Sequence, residues 1–528
     1  MEEFEELGEQ GKAKKEELWS FNENTDQNTW ESSFPGIELH NHFPGILAPE
    51  KLVELAFDND PAEFLRLVFR LYFKRHQNVQ TVFKLTNLAT EKQVMKFPTP
   101  NEEQARNILE HLKKSDTTIP QEVDNPVDYV KQYVQKHSKG SDKSRQLKAA
   151  FGRSGLTPHR ERIVELSYKN QAAMQTAVAT LLTANDLISF KFVYQLRTLV
   201  IQKIPVIKFV EETLNELKED EVKYGEVQGS LPNGISPEKF RQLLNKYSID
   251  LRFLTMVPSD ALAKPPTRTR EIAGKKISPA EWITNRLDNA GVVGVDFAGE
   301  EARFSDEGMQ FFREVYSQMR EKAERQNCYF VLRPHVGEGV AERTAKGVSK
   351  KSSHREWASK NIQHVLDTLK LIKKEGKWSE RVVVRFGHAT HATPEQLEEI
   401  KELDIIVEAN LGSNLATRSV GSEFERDQVI LKFLYHGVRT ILNTDAGGVM
   451  MTTLQSEYEA VEEILEKFKA GRISMRSHAS VALNNRSIKY TDLPKEKQKN
   501  FDIQRLIREA EKYLEEVVPN LKENWSSK

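Results

Sequence analysis

Val292-Val-Gly-Val-Asp-Phe-Ala-Gly299 lies between two stretches of helical spacing, Pro279 to Asn289 and Asp306 to Arg325. A short Val-rich run flanked by helices reads as a buried strand of a parallel sheet. The same rhythm continues in both directions. Downstream, strands are read at Cys328 to His335, Val382 to His388, Ile405 to Asn410 and Arg439 to Asp445, with helices at Lys360 to Lys373, Pro394 to Glu402 and Gln428 to His436. Upstream, Asp250 to Val257 follows a helix opened by Ser236-Pro-Glu-Lys239, and Ile37 to His42 is the first strand. The second strand is placed at Leu187-Ile-Ser-Phe-Lys-Phe-Val-Tyr194, with Ile163 to Tyr168 as its rival. Lys223 to Ser236, with three Gly and one Pro, is read as a loop. Eight strands alternating with helices close into an α/β (β/α)8 TIM barrel. An open doubly wound sheet is the alternative, but no Gly-x-Gly-x-x-Gly turn follows any strand.

Around that barrel, residues 1–33 read as a polar N-terminal arm and 34–458 as the barrel itself, with helical insertions around 60–185 and 198–245. Residues 459–528 read as a helical segment packed on it. Pro61 to Phe83 and Arg160 to Leu182 carry helical spacing or composition, and 90–155 reads as helices joined by exposed loops. The apolar residues Leu199, Val200, Val206, Val210 and Leu214 can pack on the barrel or on a second copy in a homo-oligomer.

A hydrophobic fraction of 38%, a charged fraction of 29% and a net charge of −1 suit a soluble globular protein. They favour neither a nucleic-acid coat nor a membrane-surface binder. The opening Met1-Glu-Glu-Phe lacks the basic-then-apolar order of a signal peptide. Leu187 to Val210, the most apolar long segment, is interrupted by Lys191, Arg197, Lys203 and Pro205, so no membrane span is expected. A single cysteine, Cys328, allows no intrachain disulfide, and a reducing cytoplasm is the natural compartment.

Polar residues recur at the ends of these strands. On a strand, residues i and i+2 share a face, so His40 and His42 project together. His335 ends strand five with Glu338 just beyond, His388 ends strand six, and Asp445 ends strand eight. In a barrel these positions meet at one mouth. Three imidazoles and a carboxylate, His40, His42, His335 and Asp445, match a divalent ion that keeps a position open for water. His388 is then placed to orient or deprotonate that water, and Glu338 to give a proton to the substrate. Taken singly, each His can be a strand-end hydrogen bonder, and Glu338 and Asp445 can be a helix cap and a turn residue.

Ile37-Glu-Leu-His-Asn-His42, Val293-Gly-Val-Asp-Phe-Ala-Gly299, Pro334-His-Val-Gly-Glu338, Phe386-Gly-His-Ala-Thr-His391 and Leu442-Asn-Thr-Asp445 resemble, in order, the motifs of adenosine and AMP deaminases. Asn485-Arg-Ser-Ile-Lys-Tyr490 and Leu493-Pro-Lys-Glu-Lys-Gln-Lys499 are similar to that family's C-terminal helix entry. The resemblance implies hydrolytic deamination of a 6-aminopurine nucleoside or nucleotide with one zinc ion per chain. It implies that His40, His42, His335 and Asp445 bind zinc, that Glu338 protonates the ring nitrogen, and that His388 handles the attacking water. The backbone of Gly299 would contact the purine, with Phe43 beside it.

Two positions depart from the family. Phe43-Pro44-Gly45 stands where its nucleoside enzymes have Leu-Asp-Gly, and Ala446 stands where they have a second Asp. Fewer carboxylates at the mouth tolerate a phosphate better. Residues 341–360 carry Lys350, Lys351 and Arg355 among other cations, which can gather a 5′-phosphate. Purine salvage and antiviral depletion of nucleotide pools are the two pathways such an activity would serve. The competing readings are another mononuclear-metal amidohydrolase and a degenerate barrel acting as a binding subunit. Strand four ends Phe297-Ala-Gly-Glu-Glu301 without the lysine that bridges two metals, which favours one metal.

Overall fold

The computed structural model describes residues 35–59, 80–85, 90–137, 142–156, 159–166, 197–272, 275–299, 301–339, 343–344, 347–348, 353–417, 419–420, 423–476 and 487–522. They fall into two compact units, one between Ala56 and Thr180, the other formed by residues up to Leu55 and from Leu181 onward.

The larger unit is the barrel. Its strands are β1 (Ile37–His42), β2 (Tyr224–Gln228), β3 (Asp250–Pro258), β4 (Val292–Ala298), β5 (Phe330–Val336), β6 (Val382–His388), β7 (Ile406–Ala409) and β8 (Thr440–Leu442). They pair in chain order, each parallel to the next. The ends meet just beyond β8, where His42 N donates to Asp445 O at 2.9 Å and Asp445 N to His40 O at 2.8 Å. Intervening helices start on side-chain caps: Ser236, Ser278, Ser305 and Thr393 each accept from the amide three residues on, satisfying an otherwise orphaned donor.

Seven of the eight strands lie where the apolar pattern puts them, and the second does not. It is Tyr224–Gln228, within the stretch read as a loop, while Leu187 to Tyr194 lies outside the described residues. The reason is chemical: Glu226 and Gln228, fully or nearly fully buried, put polar groups where an ordinary barrel strand carries Val or Ile. The helix Val206–Glu219 begins after Pro205, and Val200, Val210 and Leu214 are buried within the chain.

The helix Ile503–Glu516 closes the N-terminal end of the barrel. Ala510, Tyr513, Val517 and Leu521 pack on Ile37, Leu39, Tyr224, Val331, Ile406 and Ile441, residues near the starts of their strands. His40, His42, His335 and Asp445 stand at the opposite end of the strands.

In the smaller unit, helices Glu102–Lys113, Pro126–His137 and Asp142–Arg153 enclose a core of Ile108, Leu112, Val130, Leu147 and Phe151. Asp116 accepts from Tyr133 Oη and Lys143 Nζ, both at 2.6 Å. Three segments read as helical or irregular are strands instead. Gln80–Leu85, His159–Leu166 and Thr90–Lys96 form a sheet with His159–Leu166 in the centre. In His159–Leu166, pairing with a neighbouring strand on both sides overrides helix propensity. The rival second strand, Ile163 to Tyr168, therefore overlaps a real strand of a different sheet.

Candidate metal centre

His40 and His42 leave β1 where its register against β2 shifts, between Glu38 and Asn41. Such an irregularity re-aims side chains. His40 and His42, two residues apart, share one face of the strand, and Ile37 and Leu39 contribute to the core below. Gly387 makes room: a Cβ there would lie 2.8 Å from His40 Cε1. His388 and Asp445, ending β6 and following β8, both hold φ of 70°, a strained conformation for side-chain-bearing residues that often marks functional sites.

The four residues expected to bind metal converge. One ligand atom each from His40, His42, His335 and Asp445 lie within 4.8 Å of one another, and all four residues are buried. Every imidazole has its Nδ1 engaged. His40 Nδ1 donates to Glu408 Oε2 at 2.7 Å, His42 Nδ1 to Gln228 Oε1 at 2.7 Å and His335 Nδ1 to Asp296 Oδ1 at 3.0 Å. An imidazole that donates from Nδ1 presents a lone pair at Nε2. No properly directed hydrogen bond reaches His40 Nε2, His335 Nε2 or Asp445 Oδ1, although His42 Nε2 and His40 Nε2 stand 2.9 and 3.5 Å from that oxygen. Asp445 Oδ2 is taken by Ser413 Oγ at 2.6 Å. Buried, unpartnered donors of this kind fit a metal ion.

Electrostatics agree. Burial pushes His335 down to about 3, so it stays neutral. Against burial, which opposes ionisation, His40 and His42 hold the Asp445 carboxyl well below the usual range. Beneath the ligands runs a continuous ionic network. Arg333 pairs with Asp296 at 2.7 Å and Glu408 at 3.5 Å, and Arg385 with Glu408 at 2.7 Å and Glu226 at 2.8 Å. Tyr513 Oη donates to Glu226 at 2.6 Å. Two guanidiniums against the carboxylates of Asp296, Glu408, Glu226 and Asp445 leave two negative charges, which a divalent cation balances.

Glu338 and His388 stand beside this group. Glu338 Oε2 is 3.8 Å from His388 Nε2, and its other oxygen accepts from Thr417 Oγ1 at 3.5 Å. Burial, then the charge of Asp445, pushes Glu338 up to about 8. His388 Nδ1 donates to Asn414 Oδ1 at 2.9 Å, and burial lowers its pKa.

The expected substrate contacts fare differently. Gly299 lies exposed at the end of β4 with φ of 108°. The Phe43 ring is buried between Phe209 and Phe253, at 5.7 and 5.8 Å between centroids, and so belongs to the packing. Lys350 and Lys351 lie outside the described residues, as does the side chain of Arg355. Ala446 is buried with Val449 and Met450, and a Cβ on Gly45 would meet its Cβ at 2.8 Å. The turn at Phe43–Gly45 therefore packs against the position where the resembled family carries a carboxylate.

Gln228, Asp296, Glu408, Ser413 and Asn414 were not singled out by the sequence reading. A signal existed for two of them: Asp296 and Glu408 are lone acids in otherwise apolar strands.

A (β/α)8 barrel with a buried metal-binding group at the C-terminal ends of its strands is the class of protein that fold and site define. Among solved structures, the chain is similar to an Arabidopsis N6-mAMP deaminase at 16% identity, covering 82% of this chain and 88% of that one, with a TM-score of 0.38. It is similar also to an adenine deaminase from Arthrobacter aurescens at 12% identity, covering 92% and 100%, with a TM-score of 0.39. No family model matches the chain, and no curated protein matches it. Identities this low and TM-scores below 0.5 carry no inference about chemistry, so the reading of the site rests on its own geometry. No helix of the described residues is long and apolar enough to cross a membrane.

Proposed function

We propose that the chain catalyses zinc-dependent hydrolytic deamination of an adenine nucleoside or nucleotide. The carrying observation is the pairing of a buried His-His-His-Asp group with a buried carboxyl, Glu338, held largely protonated near neutral pH. When bound, a divalent ion supplies the Lewis acidity that makes water nucleophilic near neutral pH. His40, His42, His335 and Asp445 would hold it. Glu338 gives its proton to the ring nitrogen next to the amino-bearing carbon, which makes that carbon electrophilic. His388, its ring fixed by Asn414, accepts a proton from the attacking water through Nε2. Water adds, the exocyclic C–N bond breaks as the amino group takes from His388 the proton that came from water, ammonia leaves, and the added hydroxyl returns its remaining proton to Glu338 as the carbonyl forms.

The cation-rich sequence at 341–360 supports a 5′-phosphorylated substrate over the free nucleoside. Salvage and nucleotide depletion in antiviral defence would both draw on this reaction. Glu338→Gln tests the reading. It should keep its metal and lose roughly 10²–10⁴-fold in turnover; wild-type turnover would remove Glu338 from the reaction.

A further inference from the structure

Glu338 is weakly held by its own carboxyl group, whose nearest partners stand at 3.5 and 3.8 Å. Its placement must come from its main chain. Gly337 and Gly339 on either side hold φ of 76° and 78°, so the chain swings out and back around this one residue. Such a turn leaves its amides outside the barrel ladder, and a buried amide needs an acceptor. Both donate to one side chain: Gly337 N to Glu301 Oε1 and Gly339 N to Glu301 Oε2, each at 2.9 Å.

Glu301 is itself fixed. It is buried, and Asn361 Nδ2 donates to its Oε1 at 2.9 Å. The same Asn361 amide donates to Ala302 O at 2.8 Å and accepts from Phe304 N at 2.9 Å. One carboxylate thus takes three N–H donors and has no ion-pair partner among the described residues. Two oxygens on a rigid plane, each taking one flanking amide, set both the position and the orientation of the peptide units around Glu338. A neutral amide at 301 would offer only one acceptor and would point an N–H at the other glycine.

We propose that Glu301, braced by Asn361, is the positioning residue of the proton donor Glu338. This rests on the reading of Glu338 given above. Glu301 bonds to none of the four metal-binding side chains, so its geometric hold on Glu338 passes through the Gly337 and Gly339 amides.

The test uses the full-length, metal-loaded chain with adenosine and its monophosphate as substrates, and compares Glu301→Gln, Asn361→Ala, Glu338→Gln and the double variants. Glu301→Gln should lower kcat by about 10- to 100-fold, as supporting residues around such sites do. KM should stay within about threefold and metal content at the wild-type level. In the Glu338→Gln background the same change should cost less than about threefold, because residues that act through one another are not additive. Hydrogen exchange at the Gly337 and Gly339 amides should quicken in Glu301→Gln, with the β1 and β8 amides unchanged. If Glu301→Gln does not fold, Asn361→Ala should reproduce the pattern with a loss of about 3- to 10-fold.

Equal losses in the wild-type and Glu338→Gln backgrounds, or unchanged exchange at the two glycines, would overturn the positioning role and leave the reading of Glu338 intact. Full turnover by Glu338→Gln alone would overturn both.

Discussion

Glu408 is the residue through which metal binding and stability are joined, so Glu408→Gln is the informative perturbation. Its carboxylate is fully buried and lies 2.7 Å from His40 Nδ1, 2.7 Å from Arg385 Nε and 3.5 Å from Arg333 Nη1. Against the cost of burial, Arg385, Arg333 and His40 hold it down to about 2. The amide is close to the same shape, but its single carbonyl can serve His40 or Arg385, not both. Removing one partner of a buried ion pair costs about 3–5 kcal/mol, and loss of a histidine's supporting carboxylate costs about 10- to 100-fold in metal affinity. Urea denaturation of the metal-free variant should show the first loss, and competition against a chelator of known affinity the second. Metal affinity within threefold of wild type, with stability within 1 kcal/mol, would refute the claim that the ionic network supports the ligands.

Tyr513→Phe removes the hydroxyl that bonds Glu226 at 2.6 Å and Arg385 at 2.7 Å. It should cost about 1–3 kcal/mol, and unchanged urea stability would mean the closing helix acts by apolar contact alone. Glu338 predicts a pH effect on the metal-free protein. Its carboxyl titrates at its ordinary 4.5 when unfolded and at about 8 when folded. Between those values the folded state binds more protons, so stability falls as pH rises and the loss is complete by about pH 8. The gap is worth about 5 kcal/mol at 1.36 kcal/mol per pH unit. Glu338→Gln lacks this slope, so its stability relative to wild type should grow from pH 5 to pH 8; a constant difference would contradict the burial argument.

Much of the barrel was legible because apolar strands between amphipathic helices obey two periodicities at once. β2 was not, since its inward residues Glu226 and Gln228 serve the ionic network and break the apolar pattern. The small sheet was missed for a related reason: His159–Leu166 carries five charged or titratable residues in eight, and only pairing on both sides makes it a strand. At the site, the convergence of His40, His42, His335 and Asp445 was readable from their strand-end positions. What lies behind them was not, because Glu408 meets His40 from 368 residues away and Gln228 meets His42 from 186. Partners that distant leave no spacing to read. Phe43 follows His42 in the sequence, and nothing in that spacing shows that Phe209 and Phe253 pack on its ring.

The central claim is tested most directly by ammonia release from the full-length chain when metal-loaded, when stripped by a chelator, and after reloading with zinc. Adenosine, deoxyadenosine and their mono- and triphosphates should be offered in each state. The account predicts one ammonia per inosine-type product from at least one of these in the loaded and reloaded protein, and none in the stripped protein. Undiminished release after complete stripping, or no release from any of them by protein carrying one metal ion per chain, would contradict it.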